Sequence, residues 1–225
     1  MKLLHFYQNT IKKIPIFDGV PSLLIRLYLA PIFIIAGLNK IQLLNPDVTG
    51  IASLMADPNI IAWFGGLGIP FPTLLANLAA WTEILGGWML LFGVLVRLIS
   101  IPLMFTMIIA ATTVHAEHGW FAITPTNQDT SPAKVLTWFG SEQAQQSLEN
   151  STQTAERLDY MREILEENGN TEWLFEKGNI VVLNNGIEFS ATYFLMLFAL
   201  FFIGAGRYTS IDYYASRIIC RKLNA

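Results

Sequence analysis

Four long apolar stretches run through this chain, and each approaches the length of a bilayer crossing. Residues 23–44 are broken only by Arg26, Asn39, Lys40 and Gln42, and residues 74–96 only by Asn77, Thr82 and Glu83. Residues 98–114 and 189–206 carry no charge at all. A bilayer core is spanned by about 20 apolar residues in a helix, so the pattern predicts transmembrane helices at about 23–44, 74–96, 98–116 and 188–206. The second and third are separated by Arg97 alone, which predicts a tight hairpin turning near 93–102. The expected architecture is all-α: one polytopic membrane domain, a four-helix bundle over residues 1–225. A soluble bundle fits poorly, because buried soluble helices normally keep a polar face. A cleaved signal peptide rivals the first stretch only, and there Arg26 breaks the run after a long preceding segment.

Composition narrows the class further. Charged residues are 14% of the chain, against roughly 25% in soluble domains, which excludes a disordered protein and disfavours an ordinary soluble enzyme. The net charge of −3 offers no polybasic surface, so no nucleic-acid partner is expected. A single cysteine, Cys220, excludes an internal disulfide framework, a paired redox motif and a cysteine-built metal cage.

The placement of the basic residues predicts orientation. Lys2, Lys12, Lys13 and Arg26 accompany the first stretch, Arg97 the hairpin, and Arg207, Arg217, Arg221 and Lys222 follow the last. Residues 41–73 hold no lysine or arginine. The positive-inside rule then puts both termini and the hairpin in the cytoplasm. Residues 119–185 become an outer, periplasmic insertion with ten acidic and four basic residues. Within it, Asn150 and Ser151 can cap a helix whose Ala155, Leu158, Met161 and Leu165 recur at helical spacing, with Gly169 as its stop. Asp57 and Pro58 can open a shorter helical turn. The glycine-rich run 65–72 has the wrong spacing for a phosphate loop.

The ionisable residues within the apolar stretches carry the functional expectation. Glu83 lies near mid-membrane, where a carboxylate is costly unless paired or protonated. Helical spacing sets it on a stripe with Ala76, Ala80 and Gly87, whose small side chains admit a neighbouring helix. Arg26, Ala30, Phe33, Gly37 and Lys40 form a matching stripe in the first helix, so Lys40 can reach toward Glu83. The plainer alternative is an ion pair that only sets helix register. In the third helix, Met104, Met107, Ala111, His115 and His118 share one arc at 100° per residue. Thioether and imidazole donors suit copper. His115, Glu117 and His118 are therefore metal-ligand candidates, Glu83 and Lys40 catalytic candidates, and Asn39 and Glu188 candidate cofactor contacts. Arg26, Arg97 and Arg207 are expected to reach the headgroups at the inner side.

Several of these segments resemble the DoxX family. The run from Leu27 to Phe33 with Ala36–Lys40, the Gly68–Pro72 turn, and Ala80–Glu83 with Gly86, Gly87 and Gly93–Arg97 carry the likeness. His115–Trp120 and Leu183–Phe189 are similar, more narrowly, to the HvfX type, encoded beside maturation proteins for copper-binding ribosomally made peptides. The resemblance implies a four-helix protein of the bacterial inner membrane, linked to quinone-coupled oxidation and acting with proteins of its own operon. The long acidic loop departs from the shortest DoxX proteins. Three functions follow as expectations: a redox accessory of the quinone pool serving a copper-binding exported peptide, a non-enzymatic scaffold, or a small metal or peptide transport component. The last would need a homo-oligomer, since four helices are few for a path and no inverted repeat is visible.

Overall fold

The computed structural model describes residues 19–223; Lys2, Lys12 and Lys13, on which the expected orientation partly rests, lie outside them. Every regular element among the described residues is helical, with two isolated β-bridges and no strand. In chain order the α-helices are α1 Gly19–Leu38, α2 Pro58–Gly66, α3 Pro72–Phe92 and α4 Val96–Ile109. They continue with α5 Ala133–Thr137, α6 Glu142–Asn168, α7 Thr171–Phe175, α8 Glu188–Ile203 and α9 Ile211–Leu223. The described residues form two compact units, 19–114 with 190–223 and 115–189.

Three helical runs, α1, α3 and the continuous Val96–His118, are long and apolar enough to cross a membrane. The expected fourth span is shorter than its apolar pattern. Gly204 takes a φ of +78° and ends α8 at Ile203 after 16 residues, about 24 Å of helix against a bilayer core of about 30 Å. Leu29, Ala30 and Phe33 of α1, Leu90 of α3, Val96 and Leu103 of α4, and Leu197 and Leu200 of α8 nevertheless share one buried cluster. Outside it, leucines, isoleucines and phenylalanines are widely exposed, among them Leu24, Ile35, Leu78, Leu98, Phe105 and Leu195. That is the surface of a lipid-facing protein rather than a watery one.

The α3–α4 turn is tighter than expected. Gly93 and Leu95 both adopt left-handed backbone, with φ of +68° and +47°, so the reversal is complete by Val96. Pro102 therefore sits inside α4, not in the hairpin. Past Ile109 the helix widens into a π turn over Ala110–His115 and closes as a 3₁₀ turn over Ala116–His118. Thr112 and Thr113 return their hydroxyls to the carbonyls of Ile108 and Ile109 at 2.9 and 2.7 Å, a competition with backbone bonding that bends helices. A π turn bonds i to i+5, so the 100° spacing that aligned Met104 and Met107 with His115 and His118 does not hold across it.

In the second unit, α6 starts at Glu142, nine residues before the expected cap, because Ser141 accepts the Ala144 N–H at 3.3 Å. Ser151 is interior and donates to the Ser147 carbonyl at 3.0 Å. Gly169 ends α6 as expected. The buried face is Ala144, Ser151, Thr154 and Leu158, while Met161 points outward. The face thus shares Leu158 with the expected stripe but is rotated away from Met161.

Candidate functional site: a carboxylate and an ammonium between two membrane helices

The close approach of α1 and α3 is built on two reciprocal glycines. A Cβ on Gly37 would lie 2.7 Å from the Ala80 carbonyl oxygen and 2.9 Å from the Ile84 nitrogen. A Cβ on Gly87 would lie 2.9 Å from both the Ala30 carbonyl oxygen and the Ile34 nitrogen. Each helix therefore rests its glycine against the other's backbone, as small-residue interfaces in membranes do. Ala76, Ala80, Glu83 and Gly87 are all buried, and so are Arg26, Ala30, Phe33 and Gly37. The two expected stripes face one another.

This contact delivers Lys40 to Glu83. The Lys40 ammonium lies 2.5 Å from Glu83 Oε2 and donates to the Ala36 carbonyl at 3.2 Å. The Glu83 side chain is 6% exposed and that of Lys40 21%, so the carboxylate is sealed and the ammonium stands at the edge. The backbone around Lys40 is fixed as well. Its carbonyl accepts from Asp57 N–H at 2.9 Å, and Gln42 N–H donates to the Met55 carbonyl at 3.1 Å. From α3, the Asn77 side-chain carbonyl accepts Ala56 N–H at 2.8 Å, and the Trp81 indole donates to the Leu54 carbonyl at 3.1 Å. Residues 41–57 are thereby tied down beside the pair. Asn77 and Trp81 were not among the expected site residues; the signal for Asn77 was a polar side chain near the start of an apolar helix. Asn39 is exposed one residue past α1.

At the far end of the same helix pair, Arg26 corrects an expectation. It is fully buried and does not reach out to headgroups. Its Nη1 donates to the Leu90 and Leu91 carbonyls at 3.0 and 3.3 Å, and its Nη2 to the Thr209 carbonyl at 2.9 Å. A cation thus closes the C-terminus of α3, where the helix dipole favours it. Asp212 does the converse for α4, accepting Leu95 N–H at 2.7 Å and Val96 N–H at 3.1 Å. Its own N–H donates to the Gly93 carbonyl at 3.0 Å. Arg97 donates to the Phe202 carbonyl at 3.1 Å.

In the second unit, the two segments carrying His115–His118 and Asn184–Glu188 are zipped together. Ala122 O accepts both Asn184 and Asn185 N–H at 2.9 Å, and Gly186, Ile187 and Glu188 N–H donate to the Phe121, Gly119 and Trp120 carbonyls at 3.0, 3.0 and 2.9 Å. The Glu188 carboxylate accepts Ala122 N–H at 2.9 Å, and Asn184 donates to the carbonyls of His118 and Phe121. Gly186 is required because a Cβ would lie 2.5 Å from the Phe121 carbonyl oxygen. His115 Nδ1 donates to the Asn185 carbonyl at 2.8 Å, since a carbonyl oxygen can only accept. Glu117 and His118 are exposed. Among the described residues, no three His, Cys, Asp or Glu side chains gather as a metal would require.

These features define a helical membrane protein with three candidate spans and an ion pair between two of them. Residues 22–116, which contain both partners of that pair, match the DoxX family. No curated protein and no solved structure matches the chain.

Proposed function

We propose that this protein is a redox accessory of the bacterial inner membrane, coupled to the quinone pool through the Lys40–Glu83 pair. The observation that carries the reading is a sealed carboxylate held 2.5 Å from an edge-exposed ammonium, inside a helix pair built for the bilayer. A quinone, when bound, supplies a two-electron carrier that takes up protons as it is reduced. Lys40 uses two donors on Glu83 and Ala36, leaving its third N–H for a carbonyl oxygen arriving from the lipid side. Glu83 holds or releases the proton, and Lys40 balances its charge. No electron carrier is contributed by these residues, so the electrons come from a partner redox protein, in keeping with an accessory role. Both termini inside, a fourth crossing by α8, and service to a copper-binding exported peptide, as in the HvfX type, belong to this same proposal. Among the described residues no three His, Cys, Asp or Glu side chains gather, and no step is assigned to copper.

The test is made on the protein in lipid nanodiscs and in membranes containing its partners. A short-chain ubiquinone should bind, and Lys40→Met should weaken that binding. Glu83→Gln should retain binding and slow quinone reduction about 100-fold, the usual scale of a lost general acid or base. Absence of quinone binding, or unchanged rates in both variants, would sink the proposal.

A scaffold reading is favoured by a separate observation. Residues 119–185 carry a net charge of −6, and their unit exposes Trp138, Phe139 and Trp173. On this reading the insertion docks a partner protein. Deleting 126–180 should abolish partner capture while the remaining membrane unit stays folded; retained capture would remove it.

A further inference from the structure

The C-terminal helix α9 has two unlike faces. Ile211, Tyr214 and Ile218 fall at i, i+3 and i+7 and are 51%, 53% and 59% exposed. At 100° per residue they share an arc of about 60°. Arg217 and Ser216 lie off that arc, and Cys220, exposed, lies on the opposite side. Within the first unit this exposed apolar stripe is not part of any described core cluster.

Its level in the molecule is set by Asp212. That residue opens α9 while both of its carboxylate oxygens cap the N-terminus of α4. The start of α9 is therefore held at the end of a membrane-length helix, where hydrocarbon gives way to headgroups. Beside it, a groove of about 520 Å³ is walled by Leu98 and Arg97 of α4, Ile203, and Tyr213 and Ile219 of α9, with Gly204–Gly206 as its floor. The Arg217 guanidinium lies 5.4 Å from the Tyr213 ring centroid. Charge in this region is one-sided. Arg97, Arg207 and Arg217 are followed in sequence by Arg221 and Lys222, while Asp212, the acid among residues 207–222, is engaged with backbone N–H groups.

We propose that α9 lies flat in the membrane interface, with Ile211, Tyr214 and Ile218 in the acyl boundary. Arg97 and Arg217 then meet the headgroups of anionic phospholipids, and one lipid occupies the groove between α9 and α4. An exposed apolar stripe, cationic flanks and attachment to a membrane-helix end are the features that hold a helix in this plane. The occupant is the bilayer itself, since the stripe is apolar and exposed and Asp212 ties its helix to the end of a membrane-length run. This inference does not depend on the quinone reading or on which side of the membrane faces the cytoplasm.

Cys220 makes the test direct, because it is the chain's only cysteine. The full-length protein is spin-labelled at native Cys220, and at Ile218→Cys or Tyr214→Cys in a Cys220→Ser background. Each is reconstituted in vesicles containing phosphatidylglycerol, and collisions with oxygen and with a water-soluble nickel chelate are compared. Labels at 218 and 214 should favour oxygen, the label at 220 should favour nickel, and the contrast should shrink in purely zwitterionic vesicles. Nickel access at 218 and 214 equal to that at 220 would show that α9 stands off the bilayer and overturn the proposal. Shielding of 218 and 214 from both reagents would mean that protein covers this face, which overturns it equally. Two independent apolar positions keep the outcome readable if one variant fails to fold.

Discussion

Lys40 and Glu83 stand 43 residues apart in sequence and 2.5 Å apart in space, and the contact that joins them is made by Gly37 one turn earlier. The ion pair is thus a product of backbone proximity between α1 and α3. Removing one partner leaves the other charge facing an apolar interior, whereas removing both leaves neither. Lys40→Met and Glu83→Gln should each destabilise the protein in mixed micelles, and the double variant should cost less than their sum. A coupling of about 1–3 kcal/mol is expected for contacting residues of this kind. Strict additivity in the same denaturation series would show that the pair contributes nothing to stability.

Gly37 gives a separate test, since its cost comes from space rather than charge. A Cβ there would also sit 2.6 Å from Ile84 Cγ1, so Gly37→Ala forces α1 away from α3. Overpacking of this type costs about 1–3 kcal/mol, and the displaced Lys40 should lose Glu83. Gly66 is the control, because nothing lies within 4 Å of the Cβ it would carry. The melting temperature in detergent should fall for Gly37→Ala and hold for Gly66→Ala; equal shifts would contradict the packing argument.

At the other end of the helix pair, Arg26 and Asp212 close opposite helix termini, and their replacement should differ in size. Asp212→Asn keeps one acceptor for Leu95 or Val96 and loses the charge at the α4 dipole, a change of about 1 kcal/mol. Arg26→Lys cannot span the Leu90 and Thr209 carbonyls with one ammonium as the guanidinium fork does. It gives up at least one of these charge-assisted hydrogen bonds, at about 1–3 kcal/mol, besides the packing it loses. The lysine variant should therefore unfold at the lower temperature; the reverse order would show that Arg26 is not the tie among α1, α3 and the Thr209 segment.

The facing stripes of α1 and α3 were legible because helical spacing alone gathers Ala30 and Gly37, and Ala80 and Gly87, onto one side of each helix. Bilayer cost then demands that Lys40 and Glu83 point the same way. The start of α2 was legible for a similarly local reason: Asp57 caps through the Asn59 N–H at 2.8 Å, with proline following. Arg26 was misplaced because its partners are backbone carbonyls from two remote segments, and a carbonyl acceptor leaves no mark in a sequence. The alignment of Met107 with His115 failed where two threonine hydroxyls and a π turn replaced ordinary helix, a departure to which a fixed 100° step is blind.

The amino-acid sequence by itself determined that this chain belongs in a membrane, where three of the helices long enough to cross it lie, and which faces of α1 and α3 are small and which carry charge. Those properties follow from side-chain hydropathy and a helical period that every residue obeys locally. Only the tertiary structure decided that Arg26 is enclosed by carbonyls and that Asp212 caps α4. It also decided that residues 115–124 and 182–188 lie zipped edge to edge. Each of these rests on hydrogen bonds between segments tens of residues apart or more, where backbone groups are the partners and any residue could have supplied them.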